Sequence, residues 1–153
     1  MYATLLFAHS IFRWLVLLML LLALYRATTG YFARRPFTQF DNAVRHWTAT
    51  TLHLQLILGM LLYVKSPLVR FFWNDPAAGL AHEQAGFFGG IHFMLMFTAV
   101  VFATIGSARA KRQSEERAKY RTMLRWFAAA LILIVIAIPW PFSPLAQRGF
   151  FPR

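Results

Sequence analysis

The chain has 153 residues, of which 59% are hydrophobic, 17% aromatic and 14% charged, with a net charge of +11 and no cysteine. So apolar a composition excludes an ordinary soluble domain. The missing thiols exclude disulfides, thiolate metal centres and the C-x-x-C-H attachment of a c-type haem.

The first apolar span, about residues 5–25, holds the run LVLLMLLLAL and is interrupted by His9 and Arg13. These two are four apart and share one helix face. The segment is read as a span and not as a cleaved signal, because Met1 is retained, no basic residue precedes His9 and three comparable spans follow. Residues 26–46 form a basic connector containing Gly30 and Pro36, in which Thr38 and Asp41 are expected to cap and open an interfacial helix. The second span, about 47–64, carries Thr48, Thr50, Thr51, His53 and Gln55 in its first half and stops at Lys65-Ser66-Pro67. Beyond it, Phe71, Phe72 and Trp73 read as an interfacial anchor and Asn74-Asp75-Pro76 as a turn.

The third span, GFFGGIHFMLMFTAVVFATIG at 86–106, has no charged residue. At 1.5 Å per residue it is about 31 Å long, enough for a hydrocarbon core of roughly 30 Å. His92 lies about 9 Å inside its first end, and an ionisable group at that depth marks a candidate functional site. The most charged stretch, SARAKRQSEERAKYRTMLR, follows. A fourth span is expected over about 120–138, ended by Pro139, and the aromatic, basic tail 142–153 suits a membrane surface. The expected fold is therefore all-α: a single-domain integral membrane four-helix bundle over 1–153.

Eleven Lys and Arg residues fall on one side of these spans, four in the first connector and seven after span three, against Lys65, Arg70, Arg148 and Arg153 on the other. The asymmetry predicts that the two basic loops are cytoplasmic and that both termini lie on the outer side. The positive charge is then a topology feature with an attraction to anionic lipid, and no nucleic-acid partner is required.

In that arrangement His9 and His92 sit roughly 6 to 9 Å below the same surface, on helices able to face each other. Two neutral imidazoles at matched depth are what an axially ligated b-type haem needs, with His9 and His92 as the metal ligands. Gly89, three residues before His92, is expected to clear room for the flat macrocycle. A histidine in a membrane helix also serves as an ordinary interhelical hydrogen-bonder, and that reading is favoured for His53. Arg13 finds no acidic residue in any span, so a haem propionate, a quinone oxygen or a lipid phosphate is a candidate counter-ion, as is snorkelling.

AHSIFRW near the start, FTQFDN before span two, LHLQLILGMLLY within it, a histidine opening a span that ends IGSARAKR, and a closing AIPWPF resemble small four-helix bacterial membrane proteins labelled cytochrome b-like. The resemblance covers nearly the whole chain and implies that His9, His53 and His92 are the family's buried histidines. Where that family carries an acidic residue before the third-span histidine, this chain has Ile91. The expected function is haem b-mediated electron transfer with a quinol or quinone, or with a redox protein, in a bacterial inner membrane. If catalytic, the protein would be a quinol-linked oxidoreductase. A non-catalytic accessory subunit of a larger respiratory or photosynthetic complex and a small transporter or channel are the alternatives. No phosphate loop or paired carboxylates are present.

Overall fold

A computed structural model describes residues 1–143, 145, 146 and 149. Seven α-helices run in chain order: α1 Tyr2–Phe32, α2 Gln39–Lys65, α3 Pro67–Asn74, α4 Pro76–Ala81, α5 Glu83–Gly86, α6 His92–Arg112 and α7 Glu116–Ala137. One turn of π-helix, Phe87–Ile91, joins α5 to α6. Four stretches are long and apolar enough to cross a membrane: α1, α2, Glu83–Arg112 and α7. The protein is an all-α, multi-pass four-helix bundle, as its spans predicted.

The helices are longer than the apolar spans because charged residues extend them at one end. α1 continues to Phe32 and closes with Arg34 in the left-handed region (φ 51), while the Arg35 amide donates to the Gly30 carbonyl. This is a Schellman-type stop, and Pro36 prevents continuation. The segment expected to form an interfacial helix is instead the first turns of α2. Thr38 caps it in a complete capping box with Asp41. The Phe71-Phe72-Trp73 anchor also needs correction. Phe71 and Trp73 are exposed, but Phe72 is buried beneath α4 and the π turn. The expectation for the tail falls largely on residues outside the described set.

Inward positions repeat at alternating spacings of three and four, the seam of a left-handed bundle. On α7 they are Tyr120, Met123, Phe127, Ala130, Ile134 and Ala137. On α6 they are Ala99, Ala103, Gly106 and Ala110. Small residues dominate on α6 and receive the larger side chains of α7, because lipid is as apolar as leucine and association rests on close packing and not on escape from water. Two glycines make this concrete: a Cβ at Gly30 would run into the Tyr120 ring, and one at Gly106 into Trp126. Leu18, Leu21, Ile57, Met94 and Ile132 face outward, as an apolar bilayer requires.

At the end carrying the two basic connections, a buried carboxylate ties three helices together. Asp41, with no exposed surface, accepts from Arg26 Nε of α1 at 2.8 Å. It also accepts from the Thr38 amide at 3.0 Å and hydroxyl at 2.7 Å, and from the Tyr120 hydroxyl of α7 at 2.8 Å. One helical turn further on, Arg45 Nη1 donates to the hydroxyl and carbonyl oxygens of Ser107, joining α2 to α6. A buried charge with several donors becomes a liability when one partner is deleted. Asp41→Ala is expected to cost about 3 kcal/mol or more, and Tyr120→Phe about 1–2 kcal/mol. Both appear as graded falls in melting temperature of the detergent-purified protein, and equal falls would show that Asp41 does not organise this end.

Candidate functional site

The opposite end of the bundle is open where the basic end is closed. All four long helices contribute to a cavity of about 520 Å³ there, and its lining includes His9, Arg13, Gln55, Gly59, Tyr63 and His92. That volume lies within the roughly 300–1,000 Å³ typical of sites for small molecules and cofactors. Phe88, Phe93, Met96 and Leu52 supply apolar walls.

The location of His92 is set by the π turn before it. Phe-Phe-Gly-Gly-Ile accommodates one extra residue per turn, and the His92 amide donates to the Phe87 carbonyl, five residues back. Two glycines weaken the competing α-helix at this point. The turn is held from outside: the Tyr63 hydroxyl donates to the Gly89 carbonyl at 2.7 Å, and Trp73 Nε1 donates to the Tyr63 oxygen at 2.9 Å. Gly89 therefore does not provide the gap expected beside His92. A Cβ there would enter the ring of Phe72, which already fills the space.

His92 Nδ1 lies 2.8 Å from the Ala137 carbonyl in the last turn of α7. A carbonyl only accepts, so Nδ1 carries the proton, and in the neutral form of the ring the lone pair lies on Nε2. The carbonyl is available for a reason visible in the sequence. In a continuing helix Ala137 would accept from residue 141, which is Pro141, and Val135 from residue 139, which is Pro139. Side chains take both places: the Trp140 indole donates to Val135 at 2.9 Å, and His92 to Ala137.

His9 approaches from α1, its ring centroid 6.4 Å from that of His92 and the two planes 69° apart. Gly59 makes room for it, since a Cβ there would stand 3.2 Å from His9 Cε1. Gln55 Nε2 donates to the His9 carbonyl at 3.0 Å and lies 3.4 Å from His9 Nε2. His9 Nδ1 and Gln55 Oε1 are buried without a hydrogen-bond partner among the described residues. Unsatisfied polar atoms inside a cavity are costly, and a bound ligand is one way to satisfy them.

Of the residues singled out from sequence, His9, His92 and Arg13 thus line one cavity, and Arg13 stacks over the adjacent Trp14 at 5.2 Å. His53 does not join them. It faces outward on α2, with Nε2 2.9 Å from the Thr104 hydroxyl of α6, a bond between helices. Gln55, Gly59 and Tyr63 escaped the sequence reading as a group, although their spacing of four places them on one face of α2. No protein-family model, curated protein or solved structure matches the chain.

The two neighbouring glycines before His92 should behave differently. Gly89→Ala is expected to cost about 1–3 kcal/mol through its clash with Phe72. Gly90→Ala, whose Cβ meets nothing nearer than Phe72 Cζ at 3.8 Å, should be neutral or slightly stabilising. Melting temperatures of the two variants in one detergent compare them directly, and similar values would mean that Phe72 does not seat against Gly89 as described.

Proposed function

We propose that the chain is a b-type haem protein of a bacterial inner membrane, with both termini outside, exchanging electrons with a quinol near the outer face. In this reading it is akin to the small membrane proteins labelled cytochrome b-like, whose motifs its sequence resembles. The observation that carries the proposal is the 6.4 Å separation of the His9 and His92 ring centroids across a shared cavity. Two imidazoles bound to one iron, each nitrogen about 2 Å from the metal, set their centroids roughly 6 to 6.5 Å apart.

The donor set fits the same group. Among the described residues no cluster of three or more His, Asp or Glu side chains is placed to hold a metal ion. A haem would ask the protein for no more than two ligands, which His9 and His92 would provide. His92 would supply one through Nε2, oriented by the Ala137 carbonyl in the manner that fixes metal-ligating histidines elsewhere. His9 would supply the other, and Gln55 holds the backbone of its helix turn. Arg13, on the same face four residues deeper, offers positive charge to a propionate or a quinone oxygen. When bound, the haem supplies reversible one-electron transfer, and burial among Phe88, Phe93 and Met96 keeps water away from it. His53, outside the cavity, has no part in ligation.

The test is the visible spectrum of protein purified from cells supplied with haem, oxidised and then reduced with dithionite. The wild type should show a sharp reduced α-band with one haem per chain. His9→Ala and His92→Ala should each lose the low-spin spectrum, and Arg13→Gln should retain it with a midpoint potential lowered by tens of millivolts, because a cation favours the reduced iron. A colourless wild type would overturn the proposal and leave an accessory subunit of a larger membrane complex as the better reading.

A further inference from the structure

At the closed end of the bundle, the hairpin between α6 and α7 encloses a second, shallower cleft of about 440 Å³. Arg109 and Arg112 line it from the end of α6, Arg121 and Arg125 from the start of α7, with Gln113 and Trp126 between them. All four arginines are exposed. Among the described residues the ion pairs are those of Arg26 and Arg35 with Asp41, so none of the four has a carboxylate within 4.0 Å. Glu115 and Glu116 sit in the same hairpin but do not reach them. Nearby basic residues are absorbed differently: Arg117 lies over Tyr31 at 4.5 Å and Lys119 over Phe37 at 5.3 Å. In the cleft, only Arg109 has such a seat, over Trp126 at 5.5 Å.

Four like charges around one hollow repel each other unless an anion lies among them. Guanidinium groups present paired donors that match phosphate oxygens, so four of them suit two phosphates better than one. The surroundings indicate where those phosphates are carried. Below Arg109 on α6, Ile105 and Val101 stand outward one and two turns deeper, and Ile132 is exposed on α7 below Arg125. Trp126, turned against Phe102 and Gly106, sits at the join between charge and hydrocarbon, where indoles concentrate in membrane proteins. The basic cleft therefore lies at the end of exposed apolar faces of α6 and α7.

We infer that this cleft binds the head group of diphosphatidylglycerol, whose two phosphates are joined by one glycerol, with its acyl chains along the exposed faces of α6 and α7. Basic pockets between membrane helices are known to take such head groups. The site is independent of the haem proposal, since it lies at the other end of the bundle and uses none of the same residues.

Native mass spectrometry of the full chain in detergent, titrated with diphosphatidylglycerol, phosphatidylglycerol or inorganic pyrophosphate, tests it. One diphosphatidylglycerol per chain should bind at least about tenfold more tightly than phosphatidylglycerol, and 0.5 M salt should weaken it. Arg121→Gln/Arg125→Gln should lower that affinity roughly tenfold or more, and Arg112→Gln alone by less. Lys65→Gln/Arg70→Gln, which removes the same charge at the opposite end, should leave it unchanged. These arginines are exposed, and an unchanged melting temperature would show that each variant is folded. Equal losses in the two double variants, or equal binding of the two lipids, would overturn the site. Displacement of the lipid by equimolar pyrophosphate would overturn the lipid assignment in favour of a soluble phosphate compound.

Discussion

The bundle depends on one buried carboxylate. Asp41 is the single acid drawn into the helical core, and it accepts hydrogen bonds from the end of α1, from the turn before α2 and from the beginning of α7. In a membrane, apolar packing alone gives weak preference for one helix arrangement over another, because the lipid is an equally good solvent for the same side chains. A charge that must keep its donors supplies that preference. Gly30 adds a steric counterpart, because the Tyr120 ring reaches Asp41 only by lying across a position with no Cβ. The placement of α7 is thus set twice at one place, by the Tyr120 hydrogen bond to Asp41 of α2 and by a contact with α1 that only glycine allows.

Closing one end in this way leaves the other free to be less well packed. The seam of small residues on α6 runs from the basic end towards His92, and there the pattern changes to glycines, phenylalanines and a π turn. α3, α4 and α5 pack on one another and on the π turn at this end, with Phe72 wedged against Gly79 and Gly89. The cavity arises between a rigid base and a braced rim, and its walls come from four separate helices. Stability and binding capacity are thereby separated along the axis of one bundle.

Much of this was legible in the sequence, for identifiable reasons. Membrane helices declare themselves by length and hydropathy, and because the first and third of four successive spans run in the same direction, two histidines at equal depth from their starts come to the same end of the bundle. The capping role of Thr38 with Asp41 followed from spacing, but the burial of Asp41 did not, because its partners Arg26 and Tyr120 are 15 and 79 residues away. Gly89 was misjudged because absence of a side chain does not say what enters the space. Phe72, assigned to the surface with its aromatic neighbours, is what enters it. The stripe of Gln55, Gly59 and Tyr63 was hidden by the aliphatic residues between them, since a single glutamine in an apolar helix points nowhere until its face is known.

The orientation of His92 shows how a backbone can take over a role that side chains usually fill. A ligating or proton-handling imidazole needs a fixed tautomer, and a neighbouring carboxylate is the common device. The residue before His92 is Ile91, 45% exposed and turned to the outside. The acceptor comes instead from Ala137, and it is free to serve because Pro141 cannot donate the amide that would have occupied it. The same device acts at Val135, where Pro139 frees a carbonyl for the Trp140 indole. A neutral carbonyl attracts the imidazole proton less strongly than a carboxylate does, so it fixes the ring while leaving the electron density on Nε2 closer to that of an unperturbed histidine. The AIPWPF motif, which by position only ends a helix, thereby determines which nitrogen of a histidine 45 residues earlier faces away from the backbone.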